Sequence, residues 1–182
     1  VGFDKPAFDT IVASGPNSAV PHYRAGERVL TAGDLVVLDF GGVFRGYAVD
    51  LTRTITVGPA NTKQRRLLDD IAAAQDAGFA AALQGALATD IDRATRESMQ
   101  AAGLGEFFGH GTGHGLGLEV HERPRIAQFR AELPGEPLQP GMVFTIEPGA
   151  YFPDWGGARI EDDAALTASG AEWLTDVPRF WT

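Results

Sequence analysis

Residues 35–57 read LVVLDFGGVFRGYAVDLTRTITV, and this stretch is the strongest indication of the architecture. Two runs rich in β-branched and aromatic residues, Leu35–Phe40 and Tyr47–Val57, flank a turn region that contains three glycines. Such runs on either side of glycines are typical of an antiparallel hairpin. The stretch therefore predicts two neighbouring β-strands, and each of them carries one aspartate, Asp39 or Asp50.

The spacing of the two aspartates predicts that they face each other. They are 11 positions apart, and their midpoint, between Phe44 and Arg45, lies inside the turn region. In a hairpin centred there, Asp39 and Asp50 lie opposite each other on one face. Opposed β-carbons are about 4.5–5.5 Å apart, and like charges at that distance are destabilising. A cation between the carboxylates removes the repulsion, so the hairpin indicates a metal site.

A second pair of acids repeats the arrangement. Glu147 and Glu161 are 14 positions apart, centred on Asp154 in the turn-like stretch PDWGG. One such pair is readily explained as two solvated acids at a hairpin edge. Two pairs, each on an otherwise apolar strand (LVVLDF and MVFTIE), favour buried carboxylates that require a partner.

Residues 109–120 read GHGTGHGLGLEV, with glycine at every second position from 109 to 117. The alternation predicts an extended strand with one bare face, which another backbone can approach closely. His110 and His114 then lie on one face, roughly 13 Å apart at about 3.3 Å per residue. They cannot bind one ion together, so one is a candidate ligand and the other lies outside the ligand set.

Four carboxylates and one imidazole suit a pair of divalent ions such as manganese, cobalt or zinc. Two such ions about 3.5–4 Å apart polarise a carbonyl and activate a bridging water. The donor types therefore indicate a hydrolytic metal centre.

Two helices separate the two strand regions. The first is predicted to start at Asn61, where Gln64 has capping-box spacing, and to stop at Gly85. The second is predicted from about Thr89 to Ala102. Further strands are expected at Phe8–Ala13, Met142–Glu147 and Ala158–Ala165. If the two strand regions form similar halves, a helix pair is missing before residue 1. One face of the first half-sheet should then expose apolar surface, which another chain or copy would cover.

Composition restricts the partners and the location. The chain carries 15 basic and 24 acidic residues, a net charge of −9, which argues against a nucleic-acid partner. It contains no cysteine and no apolar run of some 18 residues. Its first residues do not show the basic and then apolar regions of a secretory signal peptide. These features favour a cytoplasmic protein without a membrane span.

Together the segments resemble the pita-bread metallopeptidases, which include methionine aminopeptidase, aminopeptidase P, prolidase and the metal-free creatinase. The resemblance runs from about Phe8 to Thr175. It implies an α+β pita-bread fold, an antiparallel sheet with helices on one face, truncated at its N-terminus. Residues 1–182 would form the catalytic domain without its first helices and without an N-terminal domain. The segments GYAVDLTRT, EVHERP, TIEPGAY and ARIEDD resemble the proline-specific branch.

The resemblance implies a role for each ligand position. Asp39 binds one metal ion and Asp50 bridges both. His114 and Glu147 bind the other ion, and Glu161 bridges.

Further site residues follow from the same resemblance. Glu147 resembles the general base, and His22, in VPHY, the histidine near the leaving group. His121, in EVHE, resembles the histidine that hydrogen-bonds the scissile carbonyl. Three residues around the ligands complete the site: His110, Tyr151 as a pocket tyrosine, and Arg159, which resembles a residue that orients the Glu161 carboxylate. The ordinary alternatives are a surface loop histidine for His22, a strand-end cap for His121 and a structural ion pair for Arg159.

The implied activity is hydrolysis of Xaa-Pro peptide bonds with release of the N-terminal residue, using two divalent ions. Manganese is the expected metal, with cobalt or zinc as alternatives. The substrate is a peptide with proline at its second position, and the chain is expected to form a homo-oligomer or to associate with the missing N-terminal part. Two rival functions are a methionine aminopeptidase and a non-catalytic binding module that keeps the fold.

Overall fold

The first half of the chain forms a four-stranded antiparallel sheet in the computed structural model, which describes residues 2–132 and 134–179. Its strands are β1 (Lys5–Pro6), β2 (Ile11–Ser14), β3 (Leu35–Phe44) and β4 (Tyr47–Thr56). β3 is central, because β4 pairs with one of its edges while β1 and β2 share the other. The strand predicted at Phe8–Ala13 therefore begins three residues later than expected.

The hairpin of β3 and β4 has a different register from the one predicted. Its turn consists of Arg45 and Gly46, both with positive φ (50° and 89°), which is the geometry of a two-residue hairpin turn. Asp39 consequently pairs with Thr52, while Asp50 pairs with Gly41. The prediction that the two aspartates lie directly opposite each other was wrong by two positions. They still share one face of the sheet, because side chains alternate with a period of two.

The second half forms a five-stranded antiparallel sheet and a small hairpin. The sheet contains β5 (Gly113–Gly115), β6 (Glu122–Ile126) and β7 (Val143–Ile146), and the hairpin consists of β8 (Gly149–Phe152) and β9 (Gly156–Arg159). The last two strands, β10 (Asp162–Thr167) and β11 (Gly170–Trp173), complete the sheet in the order β11-β10-β7-β5-β6.

The register around Asp154 agrees with the prediction. Gly149 pairs with Arg159 and Ile146 pairs with Asp162, and both pairings are centred on Asp154. The predicted strand at 158–165 is nevertheless two strands, β9 and β10, which belong to different sheets. Between them, Glu161 forms an isolated bridge to Thr52 of the first sheet. This bridge joins the two halves.

The glycine segment forms a much shorter strand than predicted, since only residues 113–115 are extended. The expected close approach of neighbouring backbones is confirmed within it. A β-carbon on Gly113 would lie 2.0 Å from the carbonyl oxygen of Thr145, and one on Gly115 would lie 2.0 Å from that of Arg123. Glycine at these two positions lets β6 and β7 close in on β5.

Two helices cover one face of the second sheet, α1 (Thr62–Ala81) and α2 (Ala88–Ala101). The predicted capping box is present, because Asn61 Oδ1 accepts from the Gln64 amide and Gln64 Oε1 accepts from the Asn61 amide, each at 3.0 Å. Ile91 packs in one core cluster with Phe144 and Ile146 of the sheet. Among the described residues, neither helix is both long and apolar enough to cross a membrane.

The face of the first sheet that points away from the two aspartates exposes apolar side chains, as predicted, although Val36 and Arg53 on the same face are buried. Five large side chains there are between 36% and 62% exposed: Val12, Phe40, Phe44, Tyr47 and Val49. Contiguous exposed apolar surface of this kind marks an interaction site.

Candidate metal centre

The residues predicted as metal ligands converge where the two sheets meet. Asp39 and Asp50 come from β3 and β4, His114 from β5, while Glu147 directly follows β7 and Glu161 directly precedes β10. All five line one cleft of about 610 Å³. His22, His121 and Arg159 line the same cleft. The structure therefore brings together residues that lie up to 139 positions apart in the sequence.

Asp50, His114 and Glu161 form the tightest group, because each offers one ligand atom within 4.8 Å of the other two. His114 Nε2 lies 3.8 Å from Asp50 Oδ2 and 3.6 Å from Glu147 Oε1. These separations are too long for hydrogen bonds. They suit donor atoms that each lie about 2 Å from a shared ion.

The orientation of His114 also suits metal binding. Its Nδ1 lies 3.0 Å from the carbonyl oxygen of Gly115. Since a carbonyl oxygen only accepts, Nδ1 carries the proton and Nε2 presents a lone pair to the carboxylates. Burial lowers the pKa of His114, which keeps the imidazole neutral as a metal ligand requires.

Electrostatic repulsion in the cluster points to cations. Burial and then the neighbouring carboxylates Asp39 and Glu147 raise the pKa of Asp50 to about 8. Burial likewise raises the pKa of Glu147 to about 8 and that of Glu161 well above its usual range. The buried Oδ1 atoms of Asp39 and Asp50 have no hydrogen-bond partner within the described part of the chain. Four neighbouring carboxylates and the unprotonated Nε2 of one imidazole are a suitable set of donors for divalent ions.

Arg159 is buried among these groups, but its ion pair is with Asp39 rather than with the neighbouring Glu161. Its Nη2 lies 2.6 Å from Asp39 Oδ2. Its link to Glu161 runs through Thr52, whose Oγ1 accepts from Arg159 Nε at 3.1 Å and donates to Glu161 Oε2 at 2.6 Å. Thr52 thus binds the carboxylate of a candidate ligand, and it was missed in the sequence analysis. Its position two residues after Asp50, on the same strand face, was the available signal.

Arg159, Tyr151 and His110 form one hydrogen-bonded chain. Arg159 Nη1 donates to the Tyr151 hydroxyl at 2.9 Å, and that hydroxyl lies 2.8 Å from His110 Nε2. His110 Nδ1 lies 2.7 Å from the Gly111 carbonyl oxygen, so Nδ1 carries the proton and Nε2 accepts from Tyr151. Burial lowers the pKa of His110 to about 4 and raises that of Tyr151 to about 12. Both side chains are therefore neutral near pH 7.

The two remaining histidines border the open part of the cleft. The His121 ring packs against the His114 ring with a centroid distance of 4.3 Å, and His121 is exposed. His22 follows Pro21, whose carbonyl oxygen accepts a 3.4 Å hydrogen bond from Arg159. Both imidazoles are accessible from solvent.

Asp163 is a second group that the sequence did not indicate. It lies on β10, two residues after Glu161, so alternation places it on the same face of the sheet. Its Oδ2 accepts from the backbone amide of Asp50 at 3.2 Å, and burial raises its pKa to about 7. Asp163 therefore supports the backbone that carries Asp50.

Comparison with known proteins agrees with this geometry. The model of metallopeptidase family M24 matches residues 1–168. The Xaa-Pro dipeptidase of Pyrococcus furiosus is 47% identical over 178 residues, which are 98% of this chain and 50% of that relative. The solved prolidase from Pyrococcus furiosus gives a TM-score of 0.92 at 47% identity, covering 98% of this chain and 52% of that chain.

A solved X-Pro aminopeptidase from Thermotoga maritima gives a TM-score of 0.93 at 40% identity, covering 99% of this chain and 50% of that chain. The chain thus spans about half the length of the relatives that it matches. The expected α+β pita-bread fold, with helices on one face of an antiparallel sheet, is confirmed. Because the family model matches most of the chain and the relatives align along nearly all of it, the chain belongs to metallopeptidase family M24.

Proposed function

We propose that this chain is the catalytic domain of a metallo-exopeptidase that hydrolyses Xaa-Pro peptide bonds and releases the N-terminal residue. The observation that carries the proposal is the convergence of Asp50, His114 and Glu161 within 4.8 Å of one another, with Asp39 and Glu147 in the same cleft. The names of the relatives support the choice of substrate, since they include Xaa-Pro dipeptidases and an X-Pro aminopeptidase.

The five ligand candidates divide between two metal ions in this proposal. Asp39 and Asp50 would hold one ion, His114 and Glu147 would hold the other, and Asp50 and Glu161 would be shared between the two. Bound ions would polarise the scissile carbonyl and supply an activated water. Manganese is the proposed ion, and cobalt or zinc fit the same oxygen and imidazole donors.

The protein's own groups handle the proton and the substrate. The Glu147 carboxylate accepts the proton of the attacking water and passes it to the departing proline nitrogen. Without that proton the nitrogen would leave as a strongly basic anion, so its protonation is required for the bond to break. His121 donates a hydrogen bond to the carbonyl oxygen as negative charge develops there. His22 contacts the peptide on the side of the leaving group.

The proposal is tested by release of alanine from Ala-Pro and Ala-Pro-Ala in the presence of manganese. We expect cleavage of at least one of them that a chelator abolishes, and no comparable cleavage of the matched peptide Ala-Ala-Ala. The preferred length separates a dipeptidase from an aminopeptidase. Methionine release from Met-Ala-Ser would favour the methionine aminopeptidase alternative. Metal binding without turnover of any of these peptides would favour the non-catalytic binding module.

We also propose that the exposed apolar face of the first sheet is covered by a second copy of the chain or by a further segment of polypeptide. The exposure of Phe40, Phe44 and Tyr47 supports this. Sedimentation of the purified chain should show a dimer or larger species if a second copy is the cover. Phe44→Lys should then shift the protein to the monomer, whereas Phe129→Lys, at an exposed residue elsewhere, should not. If the unaltered chain and Phe44→Lys were both monomers, a second copy of the chain would be excluded as the cover of this face.

A further inference from the structure

A buried ion pair on α2 lies outside the ligand set. Asp92 and Arg96 are one helical turn apart, and both guanidinium contacts are short: Nε to Oδ2 is 2.7 Å and Nη2 to Oδ1 is 3.2 Å. Asp92 is 1% exposed, and the Arg96 side chain is 22% exposed. A buried carboxylate with a two-pronged arginine partner is geometrically well defined.

The pair binds the chain segment that leads into β5. Asp92 Oδ1 accepts from the Thr112 amide at 3.1 Å and from the Thr112 hydroxyl at 2.9 Å. Arg96 donates to the carbonyl oxygen of Phe108 at 3.1 Å and to that of His110. Its guanidinium also lies over the Phe108 ring, 4.4 Å from the centroid. Residues 108–112 are therefore held to α2 at both ends.

Thr112 transmits this constraint to two ligand candidates. Its carbonyl oxygen accepts from the amide of Glu147 at 2.7 Å. It also lies two residues before His114, whose own amide donates to Thr145 Oγ1 at 3.2 Å. One threonine, fixed by Asp92, thus sets the backbone position of both His114 and Glu147.

We propose that Asp92 and Arg96 are positioning residues for the metal centre, acting through Thr112 to set the separation of His114 and Glu147. The inference rests on the proposed metal site. Groups that orient ligands affect metal affinity without touching the ion. Lysine in place of Arg96 keeps the charge, but a single ammonium cannot contact Asp92 and both carbonyl oxygens together.

The test compares Arg96→Lys with Arg93→Lys in the metal-free protein. Arg93 is the matched control because it is on the same helix and pairs with Asp90 at 3.0 Å, but its side chain is 63% exposed. Titration calorimetry with manganese measures affinity, and amide hydrogen exchange measures the Glu147 N–H bond to Thr112. We expect Arg96→Lys to weaken manganese binding about 10- to 100-fold and to speed exchange at Glu147, with neither change in Arg93→Lys.

Thr112→Val is a second variant, since it removes the hydroxyl contact to Asp92 but keeps the shape of the side chain. Thr112→Val should also weaken manganese binding and speed amide exchange at Glu147, but by less than Arg96→Lys does. A lower melting temperature in Arg96→Lys, with unchanged manganese affinity and unchanged exchange at Glu147, would overturn the inference and leave a purely structural ion pair. If the unaltered chain bound no manganese, the proposed function would fail. The rate of amide hydrogen exchange at Glu147 would still decide whether Asp92 and Arg96 position the backbone at the end of β7.

Discussion

Replacing Asp50 with alanine is expected to abolish the binding of two divalent ions and to lower peptide hydrolysis by at least about 10³-fold. Asp50 is the proposed bridge between the ions, and its carboxylate lies 3.8 Å from His114 Nε2. Without Asp50, Glu161 is the one proposed bridging carboxylate that remains. Metal content by elemental analysis and the rate of Xaa-Pro cleavage measure the two effects.

Two variants separate metal loss from other damage. Asp69→Ala, at an exposed position of α1, should change neither metal content nor rate. His121→Phe should keep both ions and lower the rate by about 10²- to 10³-fold, because it removes the hydrogen-bond donor to the developing oxyanion. An Asp50→Ala protein with two ions and full activity would show that the site assignment is wrong.

Raising the pH of the metal-free protein from about 6.5 to about 8.5 is expected to lower its free energy of unfolding. Asp50 and Glu147 have a pKa of about 8 in the folded protein, because burial disfavours their charged forms. In that window the folded protein retains protons that the unfolded chain has released. Stability therefore falls as the pH rises, and the fall ends once the pH exceeds the folded-state pKa.

The size of this effect follows from the number of protons retained. One proton retained over 1.5 pH units corresponds to about 2 kcal/mol, so the cluster should lose on the order of 2–4 kcal/mol. Thermal unfolding should then show a melting temperature lower by roughly 5–15 °C at the higher pH.

The choice of window avoids an opposing contribution from histidine. Burial lowers the pKa of His110 to about 4, so the unfolded chain binds more protons than the folded one below about pH 6.5. In that lower range, the contribution of His110 to stability rises with pH. It would therefore mask the fall in stability that the buried carboxyl groups cause. Above that range, the raised pKa values of the buried carboxyl groups dominate, and Asp163, with a pKa of about 7, acts in the same direction.

Saturating manganese is the control for this pH effect. Bound cations stabilise the ionised carboxylates, so the fall in melting temperature should largely disappear. Asp50→Asn should also reduce the fall in the metal-free protein, because it removes one of the titrating groups. A metal-free protein that became more stable between the two pH values would contradict the electrostatic account of the cluster.

Much of the architecture was predictable from local patterns. The capping box at Asn61 and Gln64 located the start of α1, because both hydrogen bonds join residues three positions apart. The register of the strands that carry Glu147 and Glu161 was also predictable, because the turn around Asp154 is a local feature of the sequence.

Other predictions failed where a distant segment decides the outcome. The glycine segment reads as a nine-residue strand, but only residues 113–115 form one, while Asp92 and Arg96 of α2 bind the preceding residues 108–112. The register of Asp39 and Asp50 depended on a turn at Arg45, a non-glycine residue with positive φ that no local pattern indicated.

The sequence by itself determined the candidate ligands, four carboxylates and an imidazole, and the strand faces that carry the two aspartates, because periodicity and turn spacing are properties of neighbouring residues. Only the tertiary structure decided that Arg159 pairs with Asp39, that Thr52 holds Glu161, and that Asp92 reaches Thr112. These contacts join residues between 20 and 120 positions apart. They form because buried polar groups must find partners wherever the packed sheets and helices bring them together.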